Sequence, residues 1–125
     1  MNLQEYKERL TILLEQEVIT EKSSDVSLLA FKALLKVLNK IEVEQAEMLF
    51  THLPMALTRI SNGENLEGPA AEIITEITNS PHFSIAKSQV GWIEENWNNP
   101  LPQGEKDYLY MHYSNVLTIN VQGGA

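Results

Sequence analysis

Two histidines, an arginine and an asparagine are the residues whose types and spacing could do chemistry in this chain. His52 and Arg59 stand seven residues apart in the stretch Leu49-Phe50-Thr51-His52-Leu53-Pro54-Met55-Ala56-Leu57-Thr58-Arg59-Ile60. On a helix that interval is nearly two turns, so both side chains leave one flank about 10.5 Å apart along the axis. His112 and Asn115 stand three apart, so on a helix they share a face and the amide could orient the ring. An unprotonated imidazole nitrogen can accept a phosphoryl group, and a nearby guanidinium or amide can hold the dianion that results.

Each of these residues has a plainer reading. His52 fits a partly exposed helical histidine without a role, and Arg59 a solvated arginine. His112, on an apolar face, fits a hydrogen-bonded core residue. The third histidine, His82, falls in a first helical turn, where local dipoles disfavour its charged form, and is assigned no role. Metal binding is the rival chemistry, but no His-x-x-His, His-x-x-x-His or Glu-x-x-His spacing occurs. No serine-histidine-acid set and no glycine-rich phosphate loop supports an enzyme, so no catalytic residue and no cofactor is expected. Glu42, Glu44, Glu47 and Glu94-Glu95 read as solvated helix faces.

The elements that must carry these residues are all helical. Leu3, Tyr6, Leu10, Leu13, Leu14 and Val18 recur at helical spacing and predict a helix over 3–19. After the polar break Thr20-Glu21-Lys22-Ser23-Ser24, Ser24 or Asp25 is expected to cap a second helix whose stripe is Val26, Leu29, Ala33, Leu34, Val37, Leu38 and Ile41. The histidine helix is expected over 44–60, with Ala46, Leu49, Phe50, Leu53, Leu57 and Ile60 facing a core. Pro54 inside it removes the hydrogen bond to the Phe50 carbonyl, so either the helix bends there and exposes the imidazole or packing absorbs the proline. Ser61-Asn62-Gly63 supplies a left-handed cap.

Gly68-Pro69 and Ser80-Pro81 each place proline at a first helical turn. The first of these helices should bury Ala70, Ile73, Ile74 and Ile77. The second should bury Phe83, Ala86, Val90, Ile93 and Trp97 and tolerate Gly91. Asn98 to Gly104 reads as a loop. The last helix is expected over 105–119 with Leu109, His112, Val116 and Ile119 on one face, leaving 121–125 to fray. With no alternating strand pattern, no repeat and no low-complexity segment, the chain predicts an all-α, compact bundle of about six helices in one domain over 1–125.

Composition narrows the function classes. The 125 residues are 43% hydrophobic and 21% charged, as in an ordinary soluble domain. Cysteine is absent, which excludes disulfides, thiolate catalysis and sulfur-bound zinc. A formal net charge of −8 opposes direct contact with nucleic acid, whose affinity for proteins comes mainly from Lys and Arg. No run approaches the roughly 20 apolar residues of a membrane span and no secretory leader is apparent, so the expected compartment is the cytoplasm, without membrane attachment.

The motif H-L-x-x-A-L-x-R-I at His52 to Ile60 resembles the first histidine motif of the phosphotransferase-system regulation domain. Leu101-Pro102, then Glu105, Tyr108-Leu109, His112 and Asn115, is similar to that family's closing motif. Ser61-Asn62-Gly63 resembles its polar turn, and Ser80-Pro81 with Phe83 and Ile85-Ala86 its proline-aromatic-alanine stretch. The match covers about 24–119, behind an N-terminal helix over 1–19. Thr51 stands where many members carry aspartate, and Pro54 is unusual at its position.

The resemblance implies an all-helical regulatory module, not an enzyme, that accepts phosphoryl groups on His52 and His112 with Arg59 and Asn115 as phosphate-supporting residues. It implies the histidine phosphocarrier or another phosphotransferase-system protein as partner, and a homodimer. No RNA- or DNA-binding output domain fits beside the match, so a stand-alone regulator or a fragment is expected. The open alternatives are a constitutive interaction or scaffold domain with the same fold, and a His/carboxylate metal-binding bundle. If the resemblance holds, His52 and His112 come from two packed helices and open onto one surface, with Arg59 pointing the same way.

Overall fold

The computed structural model describes residues 1–64 and 66–122. Among them are six α-helices: α1 Leu3–Glu15, α2 Glu21–Leu38, α3 Glu47–Ser61, α4 Ala71–Thr78, α5 Phe83–Trp97 and α6 Gln103–Gln122. Helix α2 packs on α1, α3 and α5, while α6 packs on α3, α4 and α5. The core draws on α1, α2, α3, α5 and α6. No helix among the described residues is long and apolar enough to cross a membrane.

Helix ends follow local chemistry. α1 opens with a capping box: Asn2 Oδ1 accepts from the Glu5 amide at 2.9 Å, and Glu5 Oε1 accepts from the Asn2 amide at 3.1 Å. It closes four residues before the expected Ile19, because Glu17 turns left-handed at φ 58. The amides of Glu17 and Val18 then bond back to Leu14 and Leu13, the paired bonds that terminate a helix. Asn39 and Gly63 close α2 and α3 with the same pair of bonds. The left-handed cap read from Ser61-Asn62-Gly63 is therefore present, with Gly63 at φ 78.

The second helix starts earlier than its serines suggested. Thr20, not Ser24 or Asp25, is the cap, and its Oγ1 accepts from the Ser23 amide at 3.1 Å. Ser23, Ser24 and Ser27 lie inside the helix and are buried, together with Val26, Ala30, Phe31 and Leu34. Leu29 and Val37, assigned to the core by hydropathy, are 43% and 47% exposed, and Ile41 lies in the following loop at 87%. Small side chains on the buried face let α3 approach closely: Thr58 Oγ1 lies 3.0 Å from Ser23 Oγ.

Pro54 does not break α3. It is buried within a continuous helix. The Phe50 carbonyl that loses its helical donor there accepts the Tyr6 hydroxyl of α1 at 2.8 Å in a buried contact. Tyr6, Phe31, Phe50 and Tyr113 form one aromatic cluster, with ring centroids 4.9 to 6.3 Å apart, joining α1, α2, α3 and α6. Helix α1 thus belongs to the same core as the rest of the chain.

Pro69 and Pro81 lie just before α4 and α5, not inside their first turns. Of the four residues expected to be buried on α4, Ile77 is buried, Ile74 is half-buried, and Ala70 and Ile73 are exposed, since the short α4 packs mainly on α6. On α5, Ala86, Val90, Ile93 and Trp97 are buried as expected and Phe83 is half-buried. Helix α6 runs two residues earlier and three later than expected, through Val121 and Gln122. Residues 123–125, expected to fray, lie outside the described residues. The buried face of α6 carries Leu109, Tyr113, Val116, Leu117 and Asn120, with Glu105 and Ser114 also buried, which rotates His112 and Ile119 to its margin.

Helices α3 and α6 run antiparallel, since Arg59 meets Glu105, His52 meets His112, and Glu44, just before α3, meets Asn120. Buried Asn120 fixes their register. Its Oδ1 accepts from the Glu44 amide at 2.8 Å, and its Nδ2 donates to the Glu44 carbonyl at 3.0 Å and to the Val116 carbonyl at 2.8 Å. The histidine helix begins at Glu47 rather than Glu44 because Glu44 is held in this clamp.

Candidate functional site

The antiparallel pair brings together two side chains sixty residues apart. The rings of His52 and His112 lie 5.0 Å apart between centroids, tilted by 43°. Both line an open cleft of about 430 Å³ with Glu47, Met48 and Thr51. A second cleft of about 540 Å³ continues along the same groove and shares Glu47, Met48 and His112 while adding Asn115 and Ile119. Met48, at the rim of both, is 74% exposed.

Behind the rings sits a carboxylate that sequence reasoning did not single out as a site residue. Glu105, in the first turn of α6, is wholly buried. Its Oε1 accepts from Arg59 Nη2 at 3.3 Å, and its Oε2 lies 3.5 Å from His52 Nε2. Burial raises the Glu105 carboxyl, but the contacts with His52 and Arg59 outweigh it and hold the group below its ordinary range. A negative charge in a first turn is also favoured by the helix dipole. Without these partners the charge would not be tolerated, since breaking a buried pair costs about 3–5 kcal/mol.

The expected site residues therefore divide. His52 and His112 meet on one groove. Arg59 points toward the same region but reaches Glu105. Asn115 is exposed beside His112 in the groove and makes no hydrogen bond to it among the described residues. Tyr108 adds a ring 6.1 Å from His52. Burial, and then the neighbouring His52, lower the proton affinity of His112, so its ring is neutral at pH 7. One sequence signal could have found Glu105: it precedes His112 by seven residues, the interval that separates His52 from Arg59, so two antiparallel helices can mate the pairs.

Proton exchange, a metal or a phosphoryl group are the chemistries two imidazoles could serve. Among the described residues no group of three or more His, Asp or Glu side chains is arranged to hold a metal ion. What the groove offers is a half-buried pair of rings, one backed by an anchored carboxylate and both reachable from solvent. A family model described as the PRD domain matches residues 29–116, within the 24–119 span of the motifs. No curated protein and no solved structure matches the chain.

Proposed function

Because the chain belongs to the PRD domain family, we propose that it is a regulatory domain whose histidines accept phosphoryl groups from the sugar phosphotransferase system and thereby change its protein contacts. The observation that carries this reading is the meeting of His52 and His112 on one groove, 5.0 Å apart between rings. Cores place apolar groups at their centres, and a buried imidazole costs free energy unless hydrogen-bonded, so the meeting of two polar rings from distant segments supports a shared site. The donor in this reading is the histidine phosphocarrier or another phosphotransferase-system protein, in the cytoplasm.

The mechanism is electrostatic. A phosphoryl group adds about −1.5 to −2 charge to a chain that already carries −8. It arrives in a cleft lined by Glu47 and the exposed Met48, where it adds anionic charge to a mostly apolar lip. A second copy docked through this groove would be repelled, and a partner with an arginine cluster would be attracted. Incubation with phosphoenolpyruvate, enzyme I and the histidine phosphocarrier is expected to give base-stable, acid-labile phosphate that His52→Ala and His112→Ala each reduce. No incorporation, under conditions that label a related domain, refutes the reading.

A second reading is favoured by the Arg59–Glu105 pair at 3.3 Å, which engages the arginine that would otherwise clamp a phosphate. In it the domain is a constitutive interaction module, and partner binding is indifferent to either histidine. Pull-downs with the two alanine variants separate the readings.

A further inference from the structure

The two nitrogens of His52 are not equivalent. Nε2 is sealed from solvent and faces Glu105 Oε2 at 3.5 Å. Neither atom has a hydrogen-bond partner among the described residues, so the facing atom across this 3.5 Å gap is the polar neighbour each has. Among the described residues Nδ1 is engaged by no protein group, and it is not one of the sealed polar atoms, so it is the nitrogen left to the cleft. The carboxylate cannot rotate away, because its other oxygen is held by Arg59 and its side chain is wholly enclosed.

We propose that Glu105 is a positioning residue that fixes the His52 proton on Nε2 and thereby directs the phosphoryl group to Nδ1. A carboxylate accepts a hydrogen bond and cannot donate one, so the nitrogen facing it carries the proton and the other keeps its lone pair. A phosphoryl group on Nε2 would need space that Oε2 occupies and would set a dianion against a buried anion. On Nδ1 it projects into the cleft. Arg59 then acts through Glu105 by holding the carboxylate, not by touching the phosphate.

This inference rests on the phosphoacceptor reading, and its transfer step balances. The Nδ1 lone pair attacks phosphorus of a phosphoimidazole donor protonated at its other nitrogen, and the donor P–N bond breaks with its electron pair returning to the donor ring. The donor leaves as neutral imidazole. The product keeps its Nε2 proton, and the positive charge of that ring faces the Glu105 carboxylate.

The test is ¹⁵N nuclear magnetic resonance of the full chain, before and after phosphorylation by the phosphocarrier system and, separately, by phosphoramidate. The expected results are an Nε2–H tautomer for His52 in the free protein and phosphorus coupled to Nδ1 in the product. An Nδ1–H tautomer, or phosphorus on Nε2, overturns the proposal. Labelling by phosphoramidate but not by the phosphocarrier refutes the signalling role while the attachment atom is still read. Glu105→Gln is expected to lose the tautomer preference and to slow Nδ1 labelling at least tenfold. Should that variant fail to fold, the wild-type spectrum decides alone.

Discussion

Replacing Tyr6 by Phe removes one oxygen from a side chain that is 1% exposed and leaves the ring in its aromatic cluster. The effect should be large for so small a change, because of a residue forty-eight positions away. Pro54 has no amide hydrogen to give the Phe50 carbonyl, and the Tyr6 hydroxyl at 2.8 Å is the donor that substitutes for it. Tyr6→Phe therefore strands a buried acceptor, at a cost of about 1–3 kcal/mol. For a domain of this size that is a fall in Tm of roughly 3–15 °C. In a Pro54→Ala background the new amide can bond to Phe50, and the same Tyr6→Phe change should cost about 1 kcal/mol less. Urea unfolding of the wild type, both single variants and the double variant measures the coupling. Equal costs of Tyr6→Phe in the two backgrounds would refute the reasoning.

Gly104→Ala should destabilise the fold by about 1–3 kcal/mol, because a Cβ there would meet the Leu66 carbonyl at 2.6 Å and the Gly68 amide nitrogen at 2.8 Å; thermal unfolding checks it. Glu17→Gly should raise stability by about 0.5–1 kcal/mol, since glycine adopts the left-handed φ of 58 without a Cβ penalty, and a lower Tm would contradict the cap assignment. Acid should weaken the protein in two windows. As pH falls below 6.5 the unfolded chain protonates His112 while the folded chain keeps it neutral, so stability drops. Below 4.5 the depressed Glu105 carboxyl repeats the effect, because the unfolded chain takes up its proton first. Urea midpoints measured from pH 8 to pH 4 should show the first loss vanish in His112→Gln.

The existence and order of the helices are legible because α1 to α5 each carry a 3.6-residue stripe and most helices have recognisable stops. Faces were less so where burial and hydropathy part company. On α2 the buried side holds Ser23, Ser24 and Ser27, which hydropathy discounts, while Leu29 and Val37 face outward. On α6, packing against three other helices blurs any single stripe, so Tyr113 and Leu117 were passed over. His52 and His112 could be named from their motifs. The burial of Glu105 could not, because its partners lie on another helix, 46 and 53 residues upstream. Pro54 is the same lesson in reverse: a residue read as a defect is complemented by a hydroxyl from α1.

The antiparallel seam between α3 and α6 has a consequence for the timing of synthesis. His52 leaves the ribosome long before Glu105 and His112, which arrive only with the last helix. Until then its imidazole has neither Glu105 nor His112 beside it. The groove comes into being only when the two ends of a sixty-residue excursion close on each other. A nascent or locally unzipped chain therefore carries the histidine without the second ring and the carboxylate that stand beside it in the folded domain.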